Sequence, residues 1–407
     1  MMERAGNWIS GVFCWLIAAA VGFIGIYSAV LPGELLVQTG GEISGGFMGA
    51  ELTEQYGGWG YSMGSMRIKQ VELSQVERRM MVPGGTPFGI KLRTEGVMVV
   101  SVNKGSPADK AGIRAGDIIS DVNGIPVQTN SEIAAAVQLE PSGSRVVFSR
   151  GDSEKCVTIV PQSAEGQLRL GAWVRDSAAG IGTLTFYDPE SGVFGGLGHP
   201  VSDVTTGDLM PMSSGEVTQA EIYSVVKGCN GEAGELCGDL CPSTVGALSA
   251  NTPVGVFGEL SQEYEGKALP VAFRQEVECG PAVILSTISG SEPQEYSIEI
   301  EKINLCAMNG TKGMVIRVTD GRLLDSAGGI VRGMSGSPII QNGMIVGAVT
   351  HVFLNDPARG YAVFAETMLE QMDSVLGSAA APAVTYYVSK KSSFIRINAL
   401  IYKKNLL

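Results

Sequence analysis

From Trp8 to Pro32 the chain carries no charged residue. At about 1.5 Å per residue, a helix of that length can cross a hydrocarbon core of about 30 Å. Residues 1–32 therefore read as a membrane anchor or a signal peptide. The run Ser28-Ala29-Val30-Leu31-Pro32 is a poor small-residue cleavage signature, which favours a retained anchor. Arg4 and the N-terminal amine outweigh the lone Glu3 on the short side, which places the rest of the chain outside the cytoplasm. Within residues 33–80, read as a flexible tether, Gly33 to about Met66 mixes glycine with scattered polar positions and no sustained period, and the more charged Arg67 to Arg79 reads as a strand or short helix leading into the first domain.

Short apolar runs separated by turn residues follow. Val97 to Val102 predicts a strand, Pro107 to Gly112 a short helix closed by glycine, and Asp117 to Val122 a strand ending in the Asn123-Gly124 turn. Ser131 to Leu139 predicts a second helix capped by Ser131 or Asn130. Beyond Pro161 come Ala172-Trp173-Val174, Gly182 to Tyr187, Val254 to Phe257, Ala282 to Leu285 and Met314 to Val318. Strands this short, at this spacing, suit a closed or paired β-barrel. The expected fold is mainly β, with two to three domains in 407 residues; 55 glycines and few aromatics agree with that. A formal net charge of −12 argues against nucleic acid as a partner.

The candidate chemistry centres on Gly333-Met334-Ser335-Gly336-Ser337-Pro338, ahead of the apolar pair Ile339-Ile340. Glycines on both sides let the chain turn tightly enough for the Gly333 and Ser335 amides to form a pocket for a developing oxyanion. A serine nucleophile needs a general base, and the chain has only two histidines, His199 and His351. His199 lies in the glycine-rich Gly195-Gly196-Leu197-Gly198-His199-Pro200 and is the better base. His351, on the run Gly343 to Val352 where a substrate-binding wall would form, is the competitor. For the orienting carboxylate, Asp320 follows the Met314 to Thr319 run and precedes Ser335 by fifteen residues, while Asp203 lies four residues from His199. Seven cysteines, an odd number, describe no disulfide framework. Cys229, Cys237 and Cys241 lack a CxxC pair and a nearby histidine, so buried thiols or one adventitious disulfide are expected rather than zinc.

Residues 84–161 resemble a PDZ domain, in Thr86-Pro87-Phe88-Gly89-Ile90-Lys91-Leu92, Gly105-Ser106-Pro107-Ala108, Ala115-Gly116-Asp117-Ile118-Ile119 and Val122-Asn123-Gly124. The resemblance implies that an extended peptide adds to the strand starting at Phe88, its carboxylate held by the Phe88-Gly89-Ile90 loop. With the anchor, Leu197-Gly198-His199-Pro200, Val318-Thr319-Asp320 and the Ser335 turn, the chain resembles the stage IV sporulation protein B peptidases from the anchor to about Met372. That family implies a chymotrypsin-like barrel peptidase over 165–378, tethered to the membrane in the space between the two spore membranes. Such a peptidase cleaves itself and a regulator of an intramembrane protease, which triggers sigma-factor activation. Carried over by motif, His199 is the base, Ser335 the nucleophile and Asp320 the carboxylate, with Gly333 and Ser335 as oxyanion donors and no metal or organic cofactor. An alternative from another class is a membrane-tethered PDZ scaffold whose barrel has lost activity. The basic stretch 379–407 matches no pattern of the family.

Overall fold

The computed structural model describes residues 15, 18–19, 21–26, 28–41, 46–47, 49–55, 57–164, 166–262, 264–305 and 310–377. Residues 15, 18–19, 21–26 and 28–30 are helical, and among the described residues no helix is long and apolar enough to cross a membrane. The rest of the expected anchor, and the basic tail 379–407, lie outside the described residues.

The described residues of 33–66 form strands where a tether is expected, and 67–76 carry strands where a strand or short helix is expected. Glu34–Gln38 pairs in parallel with Glu72–Val76, and Gly46–Phe47, Ala50–Gln55, Gly58–Met63 and Met66–Gln70 make a four-stranded antiparallel sheet. Alternation outweighs composition here: Leu35 and Val37 turn inward from one strand, and Leu52 is buried opposite Tyr61. The glycines that suggest a tether, Gly57 and Gly64 among them, occupy the turns between strands.

The larger unit holds residues 78–377. Its first barrel is a ring of Pro87–Val102, Met212–Val226, Glu235–Thr252, Gly255–Leu260, Val193–Gly196 and Ala172–Tyr187, closed where the last strand pairs back onto the first. Phe88, Ile90, Leu92, Leu184, Phe194, Leu197, Val217 and Val256 fill it, with Phe88 edge-on to Phe194 at 5.8 Å between ring centres. Full burial of each aromatic contributes roughly 1.5–3 kcal/mol.

The PDZ unit is inserted into this barrel instead of preceding it. Pro87–Val102 runs from barrel wall into PDZ sheet, and Ala172–Tyr187 returns the other way: Arg93 pairs with Ser177 in the barrel, Val102 with Ala172 in the PDZ unit. These two strands thus cross the sequential division into 84–161 and 165–378. Between them lie Ile118–Val122, Ser144–Arg150 and Ser153–Ile159, packed through Val99, Ile119, Val122, Val146 and Phe148 against helix Asn130–Leu139. That helix is capped by Thr129, in a capping box with Glu132, and not by Ser131 or Asn130.

The second barrel closes in the order Gly280–Ser286, Gln294–Ile303, Met314–Val318, Asp356–Phe364, Met344–Phe353, Pro338–Gln341. Gln294–Ile303 shows the period: Tyr296, Ile298 and Ile300 face inward, and the residues between them face out. Helix Ala365–Leu376 then seals the seam between the barrels. Its Met368, Leu369 and Met372 pack with Phe186 and Phe257 of the first barrel and with Ile345 and Val363 of the second. At the head of this helix the buried Arg274 guanidinium binds Glu366 and reaches Glu370 at 2.8 Å.

Candidate active site

Ser335 sits in a turn that the first barrel grips from across the seam. Within the turn Ser337 N–H donates to Met334 O (2.9 Å), and Gly336 N–H donates to Val349 O (2.8 Å). From the other barrel Thr183 donates its amide to Ser335 O (2.9 Å) and its hydroxyl to Gly333 O (2.7 Å), while the Thr185 hydroxyl donates to Gly336 O (2.8 Å). Gly336 has φ +97°, and a Cβ there would collide with the Thr183 carbonyl and the Leu197 backbone. Close approach of the two barrels thus requires glycine at this position. The Gly333 and Ser335 amides donate no hydrogen bond among the described residues.

His199 comes to the same place on the turn after Val193–Gly196. Gly198 lies so near the second barrel that a Cβ would meet Thr350 Cγ2 at 3.0 Å. Thr350 O in turn accepts the Ser335 hydroxyl at 3.0 Å. The His199 and His351 ring centres are 5.2 Å apart. Ser335, His199 and His351 are therefore gathered around Thr350 at the seam.

Burial lowers the His199 pKa, against a hydrogen bond between Nδ1 and Pro200 O at 2.8 Å. The imidazole accordingly stays neutral, the form a general base requires, below the ordinary histidine value. His351 is held down to about 4, first by desolvation and then by the His199 imidazole and the Lys312 ammonium. Both shifts keep positive charge away from the serine.

Neither candidate carboxylate is joined to His199. Asp320 caps helix Gly321–Ala327, accepting Arg322 N–H at 2.9 Å and Ser297 N–H at 3.3 Å, and it pairs with the Arg322 guanidinium at 2.9 Å. That guanidinium, more than any other group, holds its carboxyl at about 2. Asp320 is thus engaged as a helix cap, with no hydrogen bond to His199. Asp320→Asn keeps a good cap and is expected to preserve kcat within a few-fold. A loss near 10⁴-fold in a folded variant, the size seen when a triad aspartate is amidated, would restore the triad role. Asp203 is buried in a local turn, bonded to the Thr205 and Thr206 amides and to Arg175.

The peptide site expected at Phe88, Gly89 and Ile90 has no open strand edge. All three stand in the barrel wall, paired with Gly182, Ile181 and Gly180 on one edge and with Gln219, Thr218 and Val217 on the other, so no edge remains for a peptide. A strand with a free edge beside a helix is Ala172–Asp176. It pairs with Val102–Met98, and no described strand pairs with its other side. Helix Asn130–Leu139 runs alongside: Asn130 N–H donates to Asp176 Oδ2 at 2.9 Å, and Gln138 exchanges hydrogen bonds with the Leu168 main chain at 2.9 and 3.1 Å. The signal for it in the chain is Leu170-Gly171-Ala172-Trp173, apolar residues around a glycine ahead of a strand. Cys156, Cys229, Cys237, Cys241 and Cys279 are free thiols with at least partial exposure, and among the described residues no cluster of His, Cys, Asp or Glu could hold a metal.

Two six-stranded barrels with a serine and a histidine at their seam, and a PDZ unit let into one wall, define a PDZ-bearing protein of the chymotrypsin-like double-barrel fold class. Sequence comparison matches the SpoIVB peptidase S55 family over residues 166–369 and a PDZ domain over 98–149. The chain belongs to the SpoIVB peptidase S55 family. Among curated proteins it is similar to the periplasmic serine endoprotease DegP of Salmonella typhimurium, 31% identical over 153 residues, covering 33% of this chain and 32% of that one. It is also similar to the putative serine protease HhoB of Synechocystis, 29% identical over 89 residues, 21% of each chain. The chain thus spans about a fifth to a third of the length of these relatives. Among solved structures, the HtrA-type protease AlgW with decapeptide matches at 13% identity and TM-score 0.29, covering 53% of this chain and 55% of that one.

Proposed function

We propose that the protein is a serine endopeptidase in which Ser335 is the nucleophile and His199 the general base. The observation that carries this is the convergence of the two residues across the seam, Ser335 on Thr350 O and Gly198 packed on Thr350. For turnover the Ser335 hydroxyl leaves the Thr350 carbonyl and gives its proton to His199, as its oxygen attacks the peptide carbonyl. The proton then passes to the leaving amine. The undonated Gly333 and Ser335 amides serve the oxyanion, each such donor being worth about 10²–10³-fold in kcat. Protein segments are the substrates, and the free edge beside Ala172–Asp176 takes an extended peptide as an added strand.

Family membership supports the finer reading: a sporulation-signalling peptidase held at the membrane by residues 1–32, with its bulk extracytoplasmic, in the space between the spore membranes. There it cleaves itself and a regulator of an intramembrane protease. Fluorophosphonate labelling of the full chain tests the core of this. Stoichiometric labelling of the wild type, and none of Ser335→Ala, is expected. A folded wild type that takes no label and leaves a protein substrate intact would leave a PDZ scaffold instead.

A further inference from the structure

The loop that carries His199 is fastened at two points. At its foot, Val201 N–H donates to Asn251 Oδ1 (2.9 Å), and Asn251 Nδ2 donates to Val201 O (2.8 Å) and Met210 O (2.9 Å). At its tip, the Asp203 carboxylate accepts the Thr205 and Thr206 amides at 2.8 and 2.9 Å. Its main chain bonds Asp208 O and Gly207 N at 2.9 and 2.8 Å. Two amides do not balance a carboxylate whose side chain is 0% exposed. The remaining charge is met by the Arg175 guanidinium.

Arg175 does not belong to that loop or to its barrel wall. It lies on the stretch that pairs with the PDZ strand, opposite Met98, and between two register shifts, at Trp173/Val174 and at Arg175/Ser177. Irregular pairing of this kind re-aims a side chain. Here it goes with a guanidinium that reaches out of the PDZ unit to the turn four residues beyond His199. A path of contacts then runs from the strand with the free edge through Arg175 and Asp203 to Val201, Pro200 and the imidazole.

We propose that Arg175 and Asp203 act as a positioning pair, through which the PDZ unit sets the His199 ring against Ser335. The proposal deepens the peptidase reading and rests on it. Neither residue touches the reacting atoms. Losing either lets the 200–210 loop relax, and a displacement near 1 Å at the reacting groups can lower rate by about 10²-fold.

The test uses the full chain and a fluorophosphonate probe, with inactivation followed over time so that kinact and KI separate. Arg175→Ala and Asp203→Asn are each expected to lower kinact by about 10- to 100-fold at unchanged KI. The double variant should be no slower than the worse single one, because the two act as a unit. Arg175→Lys, which keeps the charge, should recover part of the loss. Circular dichroism and the final extent of labelling report the folded fraction, which a purely structural role would reduce without changing kinact. Variants that label at the wild-type kinact overturn the pair and leave the peptidase reading intact. A wild type that never labels removes both. Should Arg175→Ala fail to fold, Arg175→Lys and Asp203→Asn carry the same comparison.

Discussion

Replacement of Ser335 by alanine is expected to lower kcat for hydrolysis of a casein substrate by on the order of 10⁵–10⁶-fold, with folding unchanged. The side chain removed is small, and its one hydrogen bond is to a carbonyl, Thr350 O, at the edge of the seam. The turn itself is held by main-chain contacts from Thr183 and Thr185, which alanine leaves in place. His199→Ala should cost about as much, and the double variant no more than the worse single one, since nucleophile and base work as one device. Additive losses would mean that the two residues serve separate steps.

The second large effect concerns stability. Arg274→Ala is expected to destabilise the protein by about 3–5 kcal/mol, the usual cost of leaving one member of a buried ion pair alone. Arg274 and Glu366 side chains are 4% and 5% exposed. Burial pushes the Glu366 carboxyl up, and the Arg274 charge opposes that push. Without the guanidinium the carboxyl must take up a proton or stay charged while buried. Thermal unfolding should register the loss as roughly a 10 °C fall in Tm. Because helix Ala365–Leu376 seals the seam, Arg274→Ala should also loosen the Ser335 site. A Tm unchanged within 2 °C would show that water reaches Glu366.

What could be read in the chain depended on how local the cause was. The Ser335 turn and the Gly195 to His199 run announce themselves because glycines needed for close approach lie beside the reactive residues. Asn123-Gly124 does the same for its turn. Barrel closure is set by pairings such as Gly89 with both Ile181 and Thr218, and no local pattern reports them. For the same reason Phe88-Gly89-Ile90 and Leu170-Gly171-Ala172 look alike in sequence, although only the latter leads into a strand with a free edge. Distance along the chain singles out Asp320 for the serine, whereas Arg322, two residues on, is the partner it meets in the fold. In residues 33–76 glycine content concealed the alternation of Leu35 with Val37.

The two strands shared between barrel and PDZ unit bear on how this molecule can be taken apart. A domain on a linker can be excised by cutting the linker, but here excision at 84 and 161 would remove one barrel stave and orphan its neighbour. The cut that respects the ladder lies at Arg93 and Ser177, which face each other as the ends of a hairpin would. A two-residue turn joining Arg93 to Ser177 would restore an uninterrupted barrel. The PDZ unit is, in this sense, an overgrown hairpin loop, and a peptidase relieved of it would retain every strand that frames Ser335.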